Sequence, residues 1–164
     1  MTKKHFGLLY VSDGDTITVT DPCYNRDVWC RMNDIKAKPG KYDCIAWYHT
    51  ETYEYEGEKQ NCTYVARIGI YLNGFIPPQK ELKEMGEIGV DAGLCGIFID
   101  KPDYSDEQWG AMIGIIPYFD AIILKGEVDT VGFVSPSGYG VGAYPVCAYR
   151  DEKGEIIAIE VVFI

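Results

Sequence analysis

Along most of this chain apolar and polar positions alternate with a period of two, the spacing of a β-strand that turns one face to a core. Residues 6–10 and 16–20 are strand-like runs on either side of Ser12-Asp13-Gly14-Asp15, a turn composition. Asp21-Pro22 stops the second run, and a polar, irregular stretch continues to the turn at Pro39-Gly40. Residues 41–50 and 62–73 read as two long strands. The segment 51–60 between them predicts an antiparallel hairpin with an acidic tip that carries Tyr53 and Tyr55. Pro77-Pro78 then precedes a short helical piece, 79–85, ended by Gly86.

Residues 88–100 predict one further strand. Val90, Ala92, Leu94, Gly96 and Phe98 share one of its faces, and Asp91, Gly93, Cys95, Ile97 and Ile99 the other. Both faces are largely apolar, which places the strand between two layers. Ser105-Asp106-Glu107-Gln108 fits a capping box, followed by Trp109, Met112, Ile113 and Ile116 at helical spacing up to Pro117. Gly110 and Gly114 each weaken that helix by about 1 kcal/mol relative to alanine, so it depends on packing. Residues 128–135, 143–150 and 155–164 complete the strands, the last two joined by Asp151-Glu152-Lys153-Gly154. On the final strand Ile157, Ile159, Val161 and Phe163 line one face. The pattern predicts a single domain over 1–164 that is mainly β: a two-layer β-sandwich or flattened barrel with one or two short helices.

Charge narrows the function classes. The net charge of −10 argues against binding a phosphate backbone directly, because that affinity comes from Lys and Arg; it serves solubility or a basic partner. None of the six cysteines forms a Cys-x-x-Cys pair, and Cys44, Cys95 and Cys147 sit in apolar runs, where a free thiol behaves as a small core residue. With no leader pattern at Met1-Thr2-Lys3-Lys4 and no apolar run of membrane-spanning length, the expected setting is the reducing cytoplasm. His5 and His49 lack metal-ligand spacing, and Asp13, Asp15 and Asp21 lack the calcium-loop pattern. No metal and no cofactor is expected.

The candidate chemistry begins at Ser135–Pro145. Glycine recurs at every second position, so in an extended segment Gly138, Gly140 and Gly142 share a bare face. Two readings stand side by side: a ligand or partner lying on that face beside Tyr139 and Tyr144, or a packing junction in which an aromatic covers the backbone. Asp91 is a lone acid in an apolar strand and needs a partner. Arg67, between Ala66 and Ile68, can supply one, either as a structural pair or in a pocket with a shifted acid. Glu160 raises the same question with less weight, near a wet edge. At the hairpin tip, Tyr53, Glu54, Tyr55 and Glu56 read as a protein-binding patch or as a solvated loop.

Three pieces resemble a bacterial and phage family known only as a domain of unknown function. They are Asp21-Pro22-Cys23-Tyr24, Val90-Asp91-Ala92-Gly93, and Ser137-Gly138-Tyr139-Gly140-Val141-Gly142-Ala143-Tyr144-Pro145. The family pattern reads Ser-Gly-Tyr-Gly-Asp-Gly-x-Tyr-Pro, and Val141 stands here where that acid belongs. The resemblance implies candidate binding positions (Asp21, Tyr24, Asp91, Ser137 and the residues that follow it) and no reaction. The residues favour a non-enzymatic binding or interaction protein, in an accessory, immunity-like or phage–host conflict role, with an unidentified protein or small ligand as partner. The alternatives are a hydrolase with Asp91 and Arg67 in a cleft and a protein that sequesters a small ligand.

Overall fold

A computed structural model describes residues 1–99, 103–126 and 131–164. Among these residues the strands are β1 (Thr2–Val11), β2 (Ile17–Thr20), β3 (Met32–Ile35), β4 (Gly40–Tyr55), β5 (Glu58–Leu72), β6 (Lys83–Val90), β7 (Leu94–Ile99), β8 (Ile122–Lys125), β9 (Val131–Pro136), β10 (Gly142–Arg150) and β11 (Ile156–Val162), with one α-helix, α1 (Asp106–Ile115). They form a six-stranded sheet, β1-β4-β5-β11-β10-β6, and a five-stranded sheet, β3-β2-β7-β9-β8, both antiparallel. The two sheets pack face to face as an open sandwich. Between them lies the main core, in which Leu9, Tyr42, Ile68, Ile70 and Ile159 of the larger sheet meet Ile17, Val19, Ile97 and Phe133 of the smaller. As expected, β7 is apolar on both faces: Ile97 enters this core while Phe98 packs on the other side with Met112 of α1 and Leu124.

The helix starts where its capping box predicts. The Gln108 amide donates to Ser105 Oγ at 3.2 Å, and the Ser105 amide donates to Gln108 Oε1 at 2.9 Å. A glycine stripe covered by an aromatic ring does occur, under this helix. A Cβ on Gly96 or Gly132 would stand 2.6 or 2.5 Å from the Phe98 ring, so both positions must stay bare for that ring to lie on the sheet.

Several expectations are corrected. The helical piece at 79–85 shrinks to a single 3-10 turn, Gln79–Glu81, because Lys83–Val90 pairs with β10 as an edge strand. The expected strand 88–100 is broken at 91–93, so β6 and β7 join different sheets; position 100 lies outside the described residues. Of the expected 128–135 strand, 128–130 also lie outside, and β9 spans Val131–Pro136. The short strands β3 and β8 carry too little alternation to stand out and exist by pairing with β2 and β9.

Two bulges reverse side-chain facing. The β10–β11 register shifts between Tyr149 and Arg150, so Ile156 rather than Ile157 joins Ile159 and Val161 in the core. On β5, Val65 pairs with Tyr48 and Arg67 with Trp47, which leaves Ala66 without a partner. The bulge lets Val65 face the core along with Ile68 and Ile70, while Arg67 lies on the outer face of the larger sheet, 4.1 Å above the Trp47 ring.

Candidate functional site

The three sequence pieces that carry the resemblance meet at one end of the sandwich. Asp21, at the end of β2, is 0% exposed. Its Oδ2 accepts the Asp91 and Ala92 amides at 2.8 and 2.6 Å, and its Oδ1 accepts the Cys23 amide at 2.9 Å. With no cationic partner for it among the described residues, this carboxylate is tolerated because backbone donors take the place of water. The turn that Asp21 holds passes the tie onward, as Gly93 O accepts the Ser137 amide at 3.0 Å.

The glycine segment is not extended. Gly138 has φ +54° and Gly140 φ +105°, so residues 137–140 form a tight turn between β9 and β10, and the shared bare face does not exist. Alternating glycines satisfy a turn with positive φ as well as they satisfy a strand. Tyr144 closes this turn, its hydroxyl donating to Gly140 O at 2.7 Å and to Ser137 O at 3.1 Å. Ser137 Oγ donates to Gly140 O at 2.8 Å. Gly142 starts β10 under the Tyr144 ring, which a Cβ there would approach to 3.3 Å. At Gly138 a Cβ would stand 2.8 Å from Phe163 Cβ. Gly138→Ala is expected to lower stability by about 2 kcal/mol through overpacking and left-handed strain. A urea midpoint equal to wild type would show the turn to be free of the last strand.

Beside this turn opens a cleft of about 670 Å³. Tyr64, Leu94, Pro136, Gly138, Tyr139 and Gly140 line one part of it, and Trp109, Ile113, Ile116, Tyr118 and Phe119 line another. Its size and apolar character are those of a binding site. Tyr118, Phe119 and Tyr139 are 81%, 66% and 58% exposed, a cluster of aromatic surface that folding alone does not require. Trp109 also lines a smaller cleft with Cys23, Asn25 and Tyr104; its indole N–H is enclosed and has no hydrogen-bond partner among the described residues. The sequence pattern sets Trp109 at helical spacing after the capping box and gives no role to Tyr118 and Phe119. The adjacent aromatics after Pro117 were the available signal.

Tyr139 links the cleft to the β4–β5 hairpin. Its ring packs edge-on against Tyr64 at 5.1 Å between centroids, and its hydroxyl donates to Glu51. Hydrogen bonds from Tyr139 and then Tyr53 hold the Glu51 carboxyl below the usual carboxylate range. Tyr53, Glu54, Tyr55 and Glu56 lie at the exposed end of the hairpin, as expected.

The expected Asp91–Arg67 pair does not form. Asp91 is exposed in the turn between β6 and β7, where its acid is solvated, and the buried acid of this region is Asp21. Arg67 instead faces Glu160 on the outer side of the larger sheet, 3.5 Å from Nη1 to Oε2. Glu160 is fully buried rather than at a wet edge, and it accepts from Tyr71 Oη at 2.5 Å and from Gln79 Nε2 at 2.8 Å. Gly69, opposite Glu160, makes this reach possible, because a Cβ there would meet Tyr71 Oη at 2.2 Å.

Tyr24 lies beside Cys30, and burial, then that thiol, pushes its hydroxyl up to about 12. Burial, then Asp21, likewise pushes the Cys23 thiol up to about 12, which keeps it protonated and a poor nucleophile. Val141, at the position of the resembling family's acid, is 71% exposed. All six cysteines are free, and among the described residues no helix is long and apolar enough to cross a membrane. Comparison with protein-family models finds no match, and comparison with curated proteins and with solved structures finds no significant match.

Proposed function

We propose that this chain is a non-enzymatic binding protein of the cytoplasm, whose recognition surface is the aromatic cleft between α1 and the Ser137–Gly140 turn. The observation that carries the reading is the exposure of Tyr118, Phe119 and Tyr139 around one apolar cleft. Desolvating such a patch on binding supplies the driving force, and aromatic anchors in a pocket carry most of the energy of an interface. The Asp21-held turn and the Tyr144-closed turn form a rigid wall, so little order has to be gained when a ligand arrives. The meeting of Asp21, Asp91–Gly93 and Ser137–Tyr144 supports treating the resembling family's motifs as the frame of one binding site. An accessory or immunity-like role in phage–host conflict fits a small acidic binder. The hydrolase alternative loses its support because Asp91 and Arg67 occupy separate surfaces.

Immobilised wild type, Tyr118→Ser/Phe119→Ser and the control Phe75→Ser, an exposed aromatic outside the cleft lining, test this by capture from native lysate. The expected result is a partner retained by wild type and control and reduced at least about tenfold in the cleft variant. Equal retention by all three would remove the cleft from the function.

A further inference from the structure

The cleft does not stand alone: one of its lining residues, Tyr64, belongs to a part of β4–β5 that leaves the sheet and packs on Tyr139 of the 137–140 turn. The pairing of β1 with β4 runs only to Tyr48, and the ladder between β11 and β5 only to Arg67, with Ala66 O accepting the Phe163 and Ile164 amides. Beyond those points residues 49–55 and 58–64 pair only with each other among the described residues. The result is a two-stranded arm with an open edge on each strand. A hairpin alone is marginal in water, and an unpaired edge is a template for another strand.

The two faces of the arm differ. Directly opposed residues share a face. On one face Thr50 bonds Thr63 at 2.9 Å, Thr52 bonds Asn61 at 2.8 Å, and Glu54 opposes Lys59. That face satisfies itself. The other carries Glu51, Tyr53, Tyr55, Glu58 and Tyr64, together with His49, whose Nε2 lies 3.4 Å from Glu51 Oε1; no Lys or Arg stands at an opposed position on it. Tyr53 Oη lies 3.2 Å from Tyr64 Oη, and Tyr64 packs on Tyr139, so a run of phenol rings leads from the arm to the cleft with Glu51 bonded to two of them.

We propose that this arm takes an extended, arginine- or lysine-rich segment of a partner protein at an open edge, with its cationic side chains on the tyrosine face and an apolar side chain set in the cleft. The inference rests on the cleft reading and names its partner. Aromatic faces and carboxylates side by side are the complement of guanidinium and ammonium groups. Open strand edges supply main-chain hydrogen bonds to an extended chain. The net charge of −10 steers a cationic segment inward and opposes a second copy of this chain on the same surface.

The test is fluorescence anisotropy with three labelled octapeptides of alternating residues: Arg-Val, Gln-Val and Glu-Val. Wild type is expected to bind Arg-Val at least about tenfold more tightly than Gln-Val, with Glu-Val weakest. The preference should shrink about tenfold in Glu51→Gln/Glu58→Gln, and again on raising NaCl from about 50 to about 300 mM. Circular dichroism confirms that the variants fold. If Arg-Val and Gln-Val bind equally and both are lost in Tyr118→Ser/Phe119→Ser, the cationic partner is overturned and the cleft reading stands. Failure of all three peptides overturns this inference, and the lysate capture then judges the cleft separately. Sedimentation showing a dimer that Glu51→Gln/Glu58→Gln strengthens would assign the arm to a second copy and also overturn it.

Discussion

Glu160→Ala is expected to destabilise the fold by about 3–5 kcal/mol, the cost of breaking a buried ion pair from one side. Arg67 is held over Trp47 and would lose the one carboxylate within ion-pair distance of it among the described residues. Tyr71 Oη and Gln79 Nε2 would lose their acceptor in the same step. Gln79 belongs to the 3-10 turn in the connection between β5 and β6, so the damage spreads to that connection. Against a total of about 5–15 kcal/mol for a domain, the loss is a third or more. Urea unfolding should show it as a lower midpoint at unchanged slope. The double variant Arg67→Met/Glu160→Met should recover much of the loss, because two apolar side chains leave no buried charge behind. A Glu160→Ala midpoint within about 1 kcal/mol of wild type would show that the cluster does not hold the sheet's outer face.

Asp21→Ala is expected to cost about 3 kcal/mol by leaving three backbone amides without their acceptor. The effect should be spatially specific. Hydrogen exchange should accelerate first at Asp91 and Ala92, then at Ser137 and Gly140, because the Gly93–Ser137 bond ties the second turn to the first. Ile70 and Ile159, paired strand neighbours in the core, should keep their protection until global unfolding. Asp21→Asn should fall in between, since it retains one acceptor oxygen and turns an amide group towards an amide donor. Unchanged exchange at Asp91 and Ser137 would show the turns to be stable without Asp21. It would also weaken the rigid-wall argument for the cleft.

The site was only partly legible from the residues. The motifs single out Asp21, Ser137, Gly138, Gly140 and Tyr144, and these residues do converge. Their roles differ from the expected ones: the glycines make a turn rather than a bare strand face, and the buried acid is Asp21 rather than Asp91. Arg67 has another partner than the pattern predicts because Asp91 lies in a turn rather than on a strand, while alternation with the inward Ile68 and Ile70 sets Arg67 on the outer face beside Glu160. Tyr118 and Phe119 escape the pattern because two adjacent aromatics after a helix carry no period, and their exposure depends on what the helix packs against.

The sequence by itself determined the mainly β class, the long hairpin with its acidic tip, the capped helix and the closing β10–β11 hairpin. Each of these is written in local terms: alternation, turn residues and a capping box act between positions close in the chain. Only the tertiary structure decided the split of 88–100 between two sheets, the burial of Glu160, the union of the three motifs and the cleft that they border. Those features arise between residues far apart in the chain, where bulges and sheet order set which side chains meet and local pattern is silent.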